Sequence, residues 1–316
     1  MDEPIGEVPV YRDAYHCPDW PEFYDLWVEA LFRGDISSEV PLIAGLLHGV
    51  IDEVSDREEC AAKDGSIPIN ILDVGSGSGR VLVELVEHWW GEGGEGRYLD
   101  EEELHFRIIA LEPSKAMMGR AYDRVRKCVE HARLVSQASI STSFVLGCAT
   151  QLVGKDIEPS TIDLATFAVG SICHLSKPGE VDGFLNQLRQ VLKKGTGRAA
   201  ISHLRVLLTE ADESTQEDEQ EGISHIARLP SEDRPGEEYV RYPIKGVWDG
   251  SVRTDSFLLQ VENAEGVVIR SQALEWKMKL TRLREWESAV EKNGLVTVER
   301  VTGDPWQWWW ILKRAD

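Results

Sequence analysis

Apolar positions along the chain follow two rhythms that take turns. Short runs of strand type occupy residues 69–72, 106–111, 144–146, 162–167 and 198–203. Between them the apolar spacing is helical. Residues 21–33 carry Phe23, Leu26, Trp27, Ala30 and Leu31 on one face, and 40–54 read as a second apolar helix. Ser114 caps a long helix after the second run. Residues 178–192 are amphipathic and close at Lys193-Lys194-Gly195, as a helix end should. Strands alternating with helices predict an α/β protein whose parallel sheet is covered on both faces.

The rhythm changes after residue 203. Residues 251–280 predict a β-hairpin turning at Asn263-Ala264-Glu265-Gly266. In its second strand Leu274, Trp276, Met278 and Leu280 alternate with Glu275, Lys277 and Lys279. That period of two puts one face against something apolar. A helix over 281–292 and strands over 296–301 and 308–312 complete the pattern. Two tracts interrupt it, a Gly- and Glu-rich one at 91–103 and an acidic one at 210–222, and both read as surface loops.

Composition narrows the classes. A length of 316 residues fits one elaborated domain, or a domain with an appendage. The net charge of −21 argues against nucleic-acid partners, whose phosphates need a basic surface, and leaves small molecules open. Neither a membrane span nor a secretory signal is expected from the hydropathy pattern. The five cysteines are scattered and never spaced as CxxC. They read as reduced thiols of a cytoplasmic protein, with no metal site.

The chemistry concentrates at the strand ends. The first run ends in Asp73-Val74-Gly75-Ser76-Gly77-Ser78-Gly79, three glycines at alternate positions before a helix. Glycines let backbone amides approach a bulky ligand. A dinucleotide fingerprint would place two residues before the last glycine, and here one intervenes. The acid before the turn suits an ammonium or a cofactor without phosphates. Glu112 ends the second strand, where a carboxylate can accept both hydroxyls of a ribose. The tract at 91–103 accounts for its long separation from Gly75.

Together these residues resemble the class I S-adenosylmethionine-dependent methyltransferases, over roughly residues 19–313. Leu111-Glu112-Pro113-Ser114 is similar to that family's second motif, and Gly147-Cys148-Ala149-Thr150-Gln151-Leu152 to its adenine-contacting turn. Phe167-Ala168-Val169-Gly170-Ser171-Ile172-Cys173-His174-Leu175 resembles the loop after the fourth strand. The resemblance implies S-adenosylmethionine as cofactor. Asp73, Gly75, Ser76, Gly77, Gly79, Glu112, Pro113, Ser114, Met117, Cys148, Ala149, Thr150, Phe167, Ala168 and Val169 would surround it. One departure stands out: Cys148 replaces the family's usual Asp, and a thiol is a poor acceptor for an adenine amino group.

The hairpin, His174-Leu175 and Gly303-Asp304-Pro305 narrow the resemblance to amino-sugar and glycine N-methyltransferases. In those enzymes an N-terminal YDxxY helix closes over the cofactor. Here it reads Tyr24-Asp25-Leu26-Trp27, so Trp27 would meet the sulfonium through cation–π attraction, or else pack in the core. His174 is the candidate general base, since imidazole titrates near neutrality. Tyr15, His203 and Asp249 are candidates for the acceptor site. Trp308 and Trp310 share a face of the last strand, as core packing or as a wall for a flat acceptor.

The expectation is therefore a Rossmann-like seven-stranded methyltransferase sheet, its last strand antiparallel, with an antiparallel β insert after strand five. Residues 1–66 form a helical lid, 67–206 the cofactor-binding core, 207–280 the insert and 281–316 the completion of the core. The insert would cap the acceptor or form a homodimer surface. The expected reaction is methyl transfer to a nitrogen or oxygen of a small molecule, with nitrogen favoured. Two alternatives are a methyltransferase-fold protein that only binds cofactor or catalyses another reaction, and an NAD-dependent oxidoreductase.

Overall fold

The computed structural model describes residues 8–32, 39–55, 67–91, 104–136, 139–154, 156–210 and 226–315. The tract at 92–103 and the acidic stretch at 211–225 lie outside the described residues.

The chain begins with a two-residue strand β1 (Val10–Tyr11) and a 3-10 turn (Ala14–His16), then helices α1 (Trp20–Phe32) and α2 (Glu39–Ser55). The core follows as β2 (Ile67–Val74), α3 (Arg80–Trp90), β3 (Leu104–Glu112), α4 (Lys115–Ser136), β4 (Ser139–Leu146), β5 (Leu164–Phe167), α5 (Glu180–Val191) and β6 (Arg198–Leu204). An insert spans β7 (Leu208–Thr209), β8 (Ala227–Pro230), β9 (Glu238–Arg241), β10 (Lys245–Asp249), β11 (Val252–Glu262), β12 (Val268–Lys279) and β13 (Thr281–Arg282). Helix α6 (Leu283–Lys292) and strands β14 (Leu295–Val301) and β15 (Gln307–Arg314) finish the fold.

The main sheet has seven strands in the order β14-β15-β6-β5-β2-β3-β4. Its middle is parallel, and β15 runs antiparallel to β6. This is the doubly wound sheet that the alternating pattern predicts. The fourth strand starts later than its apolar run. Ile162 makes only an isolated bridge to Leu192, two residues after Ser160, whose φ is 55°.

Each face of the sheet has its own core. On one side α2, α3 and α4 bury Leu47, Leu85, Trp89, Trp90 and Val125. On the other α5 and α6 bury Phe184, Leu188, Trp286 and Trp310. The last strand splits its tryptophans as its period of two requires, with Trp309 in the first core and Trp310 in the second.

The insert forms a separate sheet, β1-β12-β11-β9-β8, with β10 also on β11. Strand β1 enters it parallel to β12, pairing Val10 with Ala273. The inward face of this sheet meets α1 in a third core of Trp20, Phe23, Trp27, Tyr239, Phe257 and Trp276. The expected hairpin turn is present, with Gly266 N–H donating to the Asn263 carbonyl at 2.9 Å. The N-terminal segment and the insert, far apart in sequence, thus share one sheet and one apolar cluster.

Candidate active site

A cavity of about 480 Å³ lies at the carboxyl ends of β2, β3, β4 and β5. In open α/β sheets this is where ligands bind. Its floor is the turn after β2, where Gly75 and Gly77 have φ of 63° and 56°. A Cβ on Gly75 would meet the Phe167 ring at 3.0 Å, so conformation and space both require glycine there. Gly79 serves packing instead. A Cβ on it would stand 2.8 Å from Val125 Cγ2, at the crossing of α3 and α4.

Glu112 sits beside this turn and is buried. Its Oε2 accepts the Gly77 N–H at 3.0 Å, and its Oε1 accepts the Ser114 N–H at 2.8 Å. Asp73 is buried beneath the turn and accepts a hydrogen bond from the Thr166 hydroxyl at 2.6 Å. Burial pushes both carboxyls up to about 7, against the opposing effect of those donors. Ser76 Oγ is buried with no hydrogen-bond partner among the described residues. Pro113, Ser114, Met117, Cys148 and Ala149 continue the wall toward β4, where Cys148 Sγ lies 3.2 Å from Thr150 Oγ1.

The opposite end is built from three distant parts of the chain. The segment Arg12–His16 crosses the cavity as a strap. The Ser114 hydroxyl donates to the Tyr15 carbonyl on one side, and the Tyr15 hydroxyl lies 3.2 Å from His174 Nε2 on the other. His174 Nδ1 is 2.9 Å from the carbonyl oxygen of Lys277 in the insert. A carbonyl only accepts, so Nδ1 carries the proton and Nε2 presents its lone pair to Tyr15. Burial holds the His174 pKa below its usual value. Tyr24 from α1 and Trp276 from β12 close the remaining side. The Trp276 indole N–H donates to Asp255 Oδ2 at 3.0 Å, and Asp255 is held in turn by Arg253 Nε at 2.7 Å.

Of the residues expected at the site, Tyr15, Tyr24, Gly75, Gly77, Glu112, Pro113, Ser114, Met117, Cys148, Ala149, Phe167 and His174 line this cavity. Asp73, Ser76, Gly79, Thr150, Ala168 and Val169 stand behind that lining. Val169 takes a φ of 55° and Gly170 one of 65°, which swings the following turn, Ser171–His174, toward the cavity.

Three expectations need correction. Trp27 is buried away from the cavity, stacked on Trp276 at 5.3 Å and on Phe23 at 5.9 Å. The cation over its ring is the Arg241 guanidinium at 5.7 Å, because its helix face turns toward the insert. His203 lies between Trp286 and Trp310, on the α6 side of the sheet, and burial lowers its pKa to about 3. It lines a separate cavity of about 180 Å³. Asp249 is exposed at the turn joining β10 and β11. Trp308 and Trp310 pack with the second core, the first of the two arrangements expected for them.

The sequence reading passed over Asp13, Ser171, Lys177, Glu180 and Trp276, all of which line the cavity. For Trp276 the alternating pattern marked an inward face. Nothing in it marked which end of that face would reach the site.

No protein-family model matches the chain. It is 30% identical over 141 residues to the N-methyltransferase FrzE of a Cladobotryum species, covering 44% of this chain and 43% of that protein. The aligned part is thus less than half the length of that relative. Among solved structures, the sugar N-methyltransferase KedS8 from Streptoalloteichus superposes with a TM-score of 0.61 at 19% identity, over 100% of both chains. An S-adenosylmethionine-dependent methyltransferase from Clostridium acetobutylicum gives a TM-score of 0.58 at 10% identity, over 93% of this chain and 100% of that one. Seven-stranded sheet, strand-end cavity and these superpositions agree: the chain has the fold of the S-adenosylmethionine-dependent methyltransferases.

Proposed function

We propose that this chain is an enzyme that transfers the methyl group of S-adenosylmethionine to a nitrogen of a small molecule. The observation that carries the reading is one cavity with two unlike ends. Glu112 under the glycine turn forms one end, and the Tyr15–His174 pair under the strap forms the other. The residues present fit the cofactor. Glycines leave room for a backbone-hugging ligand, Ser76 Oγ is a buried polar atom awaiting a partner, and two desolvated carboxyls favour a cationic, hydroxyl-bearing guest.

In this reading Asp73 and the glycine turn hold the amino-acid part, Glu112 accepts from the ribose, and Cys148 and Ala149 flank the base. When bound, S-adenosylmethionine supplies a methyl group on a good leaving group. The chain's own contribution is alignment in a closed pocket and removal of a proton from the acceptor. His174 is the base. An amine that takes the place of the Tyr15 hydroxyl delivers its proton to Nε2, while the Lys277 carbonyl keeps Nδ1–H in place.

The strap and α1 act as the lid, α2 packing in the first core instead, and residues 207–280 cap the acceptor end. The outer face of the insert is the candidate surface for a homodimer. The preference for nitrogen rests on the partial relative, an N-methyltransferase, and on the sugar N-methyltransferase among the structural neighbours. Among the described residues the thiols of Cys17, Cys128, Cys148 and Cys173 are free of disulfides, in keeping with a cytoplasmic setting. Among the described residues no helix is long and apolar enough to cross a membrane.

The test is calorimetric titration with S-adenosylhomocysteine, followed by transfer of isotope-labelled methyl from S-adenosylmethionine across a panel of amines and alcohols. The expected outcome is binding and label on an amine nitrogen. Binding with no labelled product, or label on oxygen alone, would overturn the reading.

A further inference from the structure

The lid helix carries two acids one turn apart, and they are fastened in opposite directions. Glu22 faces the insert. It accepts from the Ser231 hydroxyl at 2.8 Å, the Glu232 and Asp233 amides at 2.7 and 2.8 Å, and the Tyr239 hydroxyl at 2.8 Å. Asp25 faces the core. It accepts from the Ser78 hydroxyl in the glycine turn, from Arg120 Nε at 2.6 Å and from Arg124 Nη1 at 2.7 Å, both on α4. Arg120 also reaches Asp233 in the insert, so it spans both sides.

The two fastenings differ in kind. The Glu22 side is backed by the third apolar core, and parting it would expose Trp20, Phe23 and Trp27 to water. The core domain adds Met117 to that cluster. The Asp25 side is a partly buried ion node, Asp25 itself 12% exposed and its arginine side chains 19% and 33%. Ions can reach it and screen it. Asp25 is thus a charged tie between cap and core, beside the hydrogen bonds Ser114–Tyr15, Tyr15–His174 and His174–Lys277 and the Arg120–Asp233 pair. Tyr24, the residue before Asp25, lines the cavity, so a change at this tie reaches the site.

We infer that Asp25 is a positioning residue that latches the lid and insert onto the glycine turn and thereby sets the rate at which the spent cofactor leaves. The inference rests on the cofactor reading proposed above. Ser78 gives it a second consequence. The latch grips the very turn that holds the ligand, so lid closure and order in that turn are coupled through one hydroxyl.

The experiment is rapid-mixing measurement of S-adenosylhomocysteine dissociation from the full chain, Asp25→Asn and Arg124→Met, at about 50 and about 500 mM salt. Wild-type release is expected to speed up several-fold with salt. Asp25→Asn, which keeps the shape but removes the charge that strengthens these hydrogen bonds, is expected to release at least about tenfold faster and to lose the salt response. Arg124→Met, altered at the surface and retaining Arg120, should fall between the two. It carries the test if Asp25→Asn does not fold. Melting temperatures separate the latch from a purely structural role, which would lower stability and leave release rates unchanged. Wild-type release in both variants overturns the latch alone. Failure of the wild type to bind S-adenosylhomocysteine overturns the cofactor reading itself.

Discussion

Asp73 and Glu112 are carboxyls whose protons matter near neutrality. Both are raised by burial to about 7, from ordinary values of 3.8 and 4.5. Between roughly pH 4 and 7 the folded, ligand-free protein therefore binds more protons than the unfolded chain. The stability this contributes is fully present below about pH 4 and is lost as pH rises through about 7. A ligand that brings an ammonium and hydroxyls to these groups reverses the preference and favours the ionised forms. Binding of S-adenosylhomocysteine is thus expected to release protons, to tighten by up to about tenfold per pH unit per group as pH rises toward about 7, and to level off above it. Titrations in two buffers of different ionisation enthalpy would detect the protons, and a flat affinity profile would remove both residues from the role. At His174 the sign is the opposite, since burial favours the neutral base. Turnover should rise as pH passes its lowered pKa and then level off. His174→Ala is expected to cut kcat by about 10²-fold or more while leaving S-adenosylhomocysteine affinity intact, and an unchanged kcat would reassign the base. Both acids were legible in the sequence because strand ends announce themselves. Trp27 was not, because an apolar helix position reads the same whether it meets a cavity or another tryptophan.

At the scale of elements, two contacts made by β12 do most to shape the acceptor end. Trp276 walls the cavity, and the Lys277 carbonyl fixes the His174 tautomer. The hairpin and its turn were readable from period and turn chemistry. Its parallel pairing with β1 was not, since two residues at Val10–Tyr11 carry no strand signal of their own and pair only because β12 offers an edge. The turn after β2 shows how differently its glycines are used. Gly79→Ala places a Cβ 2.8 Å from Val125 Cγ2 on a backbone with φ of 79°. The substitution is expected to cost about 2–4 kcal/mol, read from the urea midpoint, as a sum of backbone strain and overpacking. A cost below about 0.5 kcal/mol would show that α3 and α4 can part easily at this crossing.

For the whole molecule, the main division runs between the seven-stranded core and a cap made from the N-terminal segment and the insert. The lid and the insert read as separate regions because sequence reading follows the chain. Packing joins them through Trp20, Phe23, Trp27 and Trp276, four aromatic side chains contributed by two segments some 250 residues apart. The net charge of −21 restricts the class of partner without marking the site, whose rim carries Arg12, Lys177 and Lys277 beside Asp13 and Glu180.

The pairing of Val10 with Ala273 also governs how the protein is made. The strap is translated more than 250 residues before the strand it needs. Until β12 has been translated, the aromatic face of α1 has no cover and the acceptor end has no wall. A contact between such distant residues closes a long loop and forms slowly. The nascent chain therefore passes the interval between α1 and β12 with Trp20, Phe23 and Trp27 unsheltered, a state in which chaperone capture competes with folding. Ligand finds no complete pocket in that interval, because Trp276 and Lys277 of β12 belong to its lining.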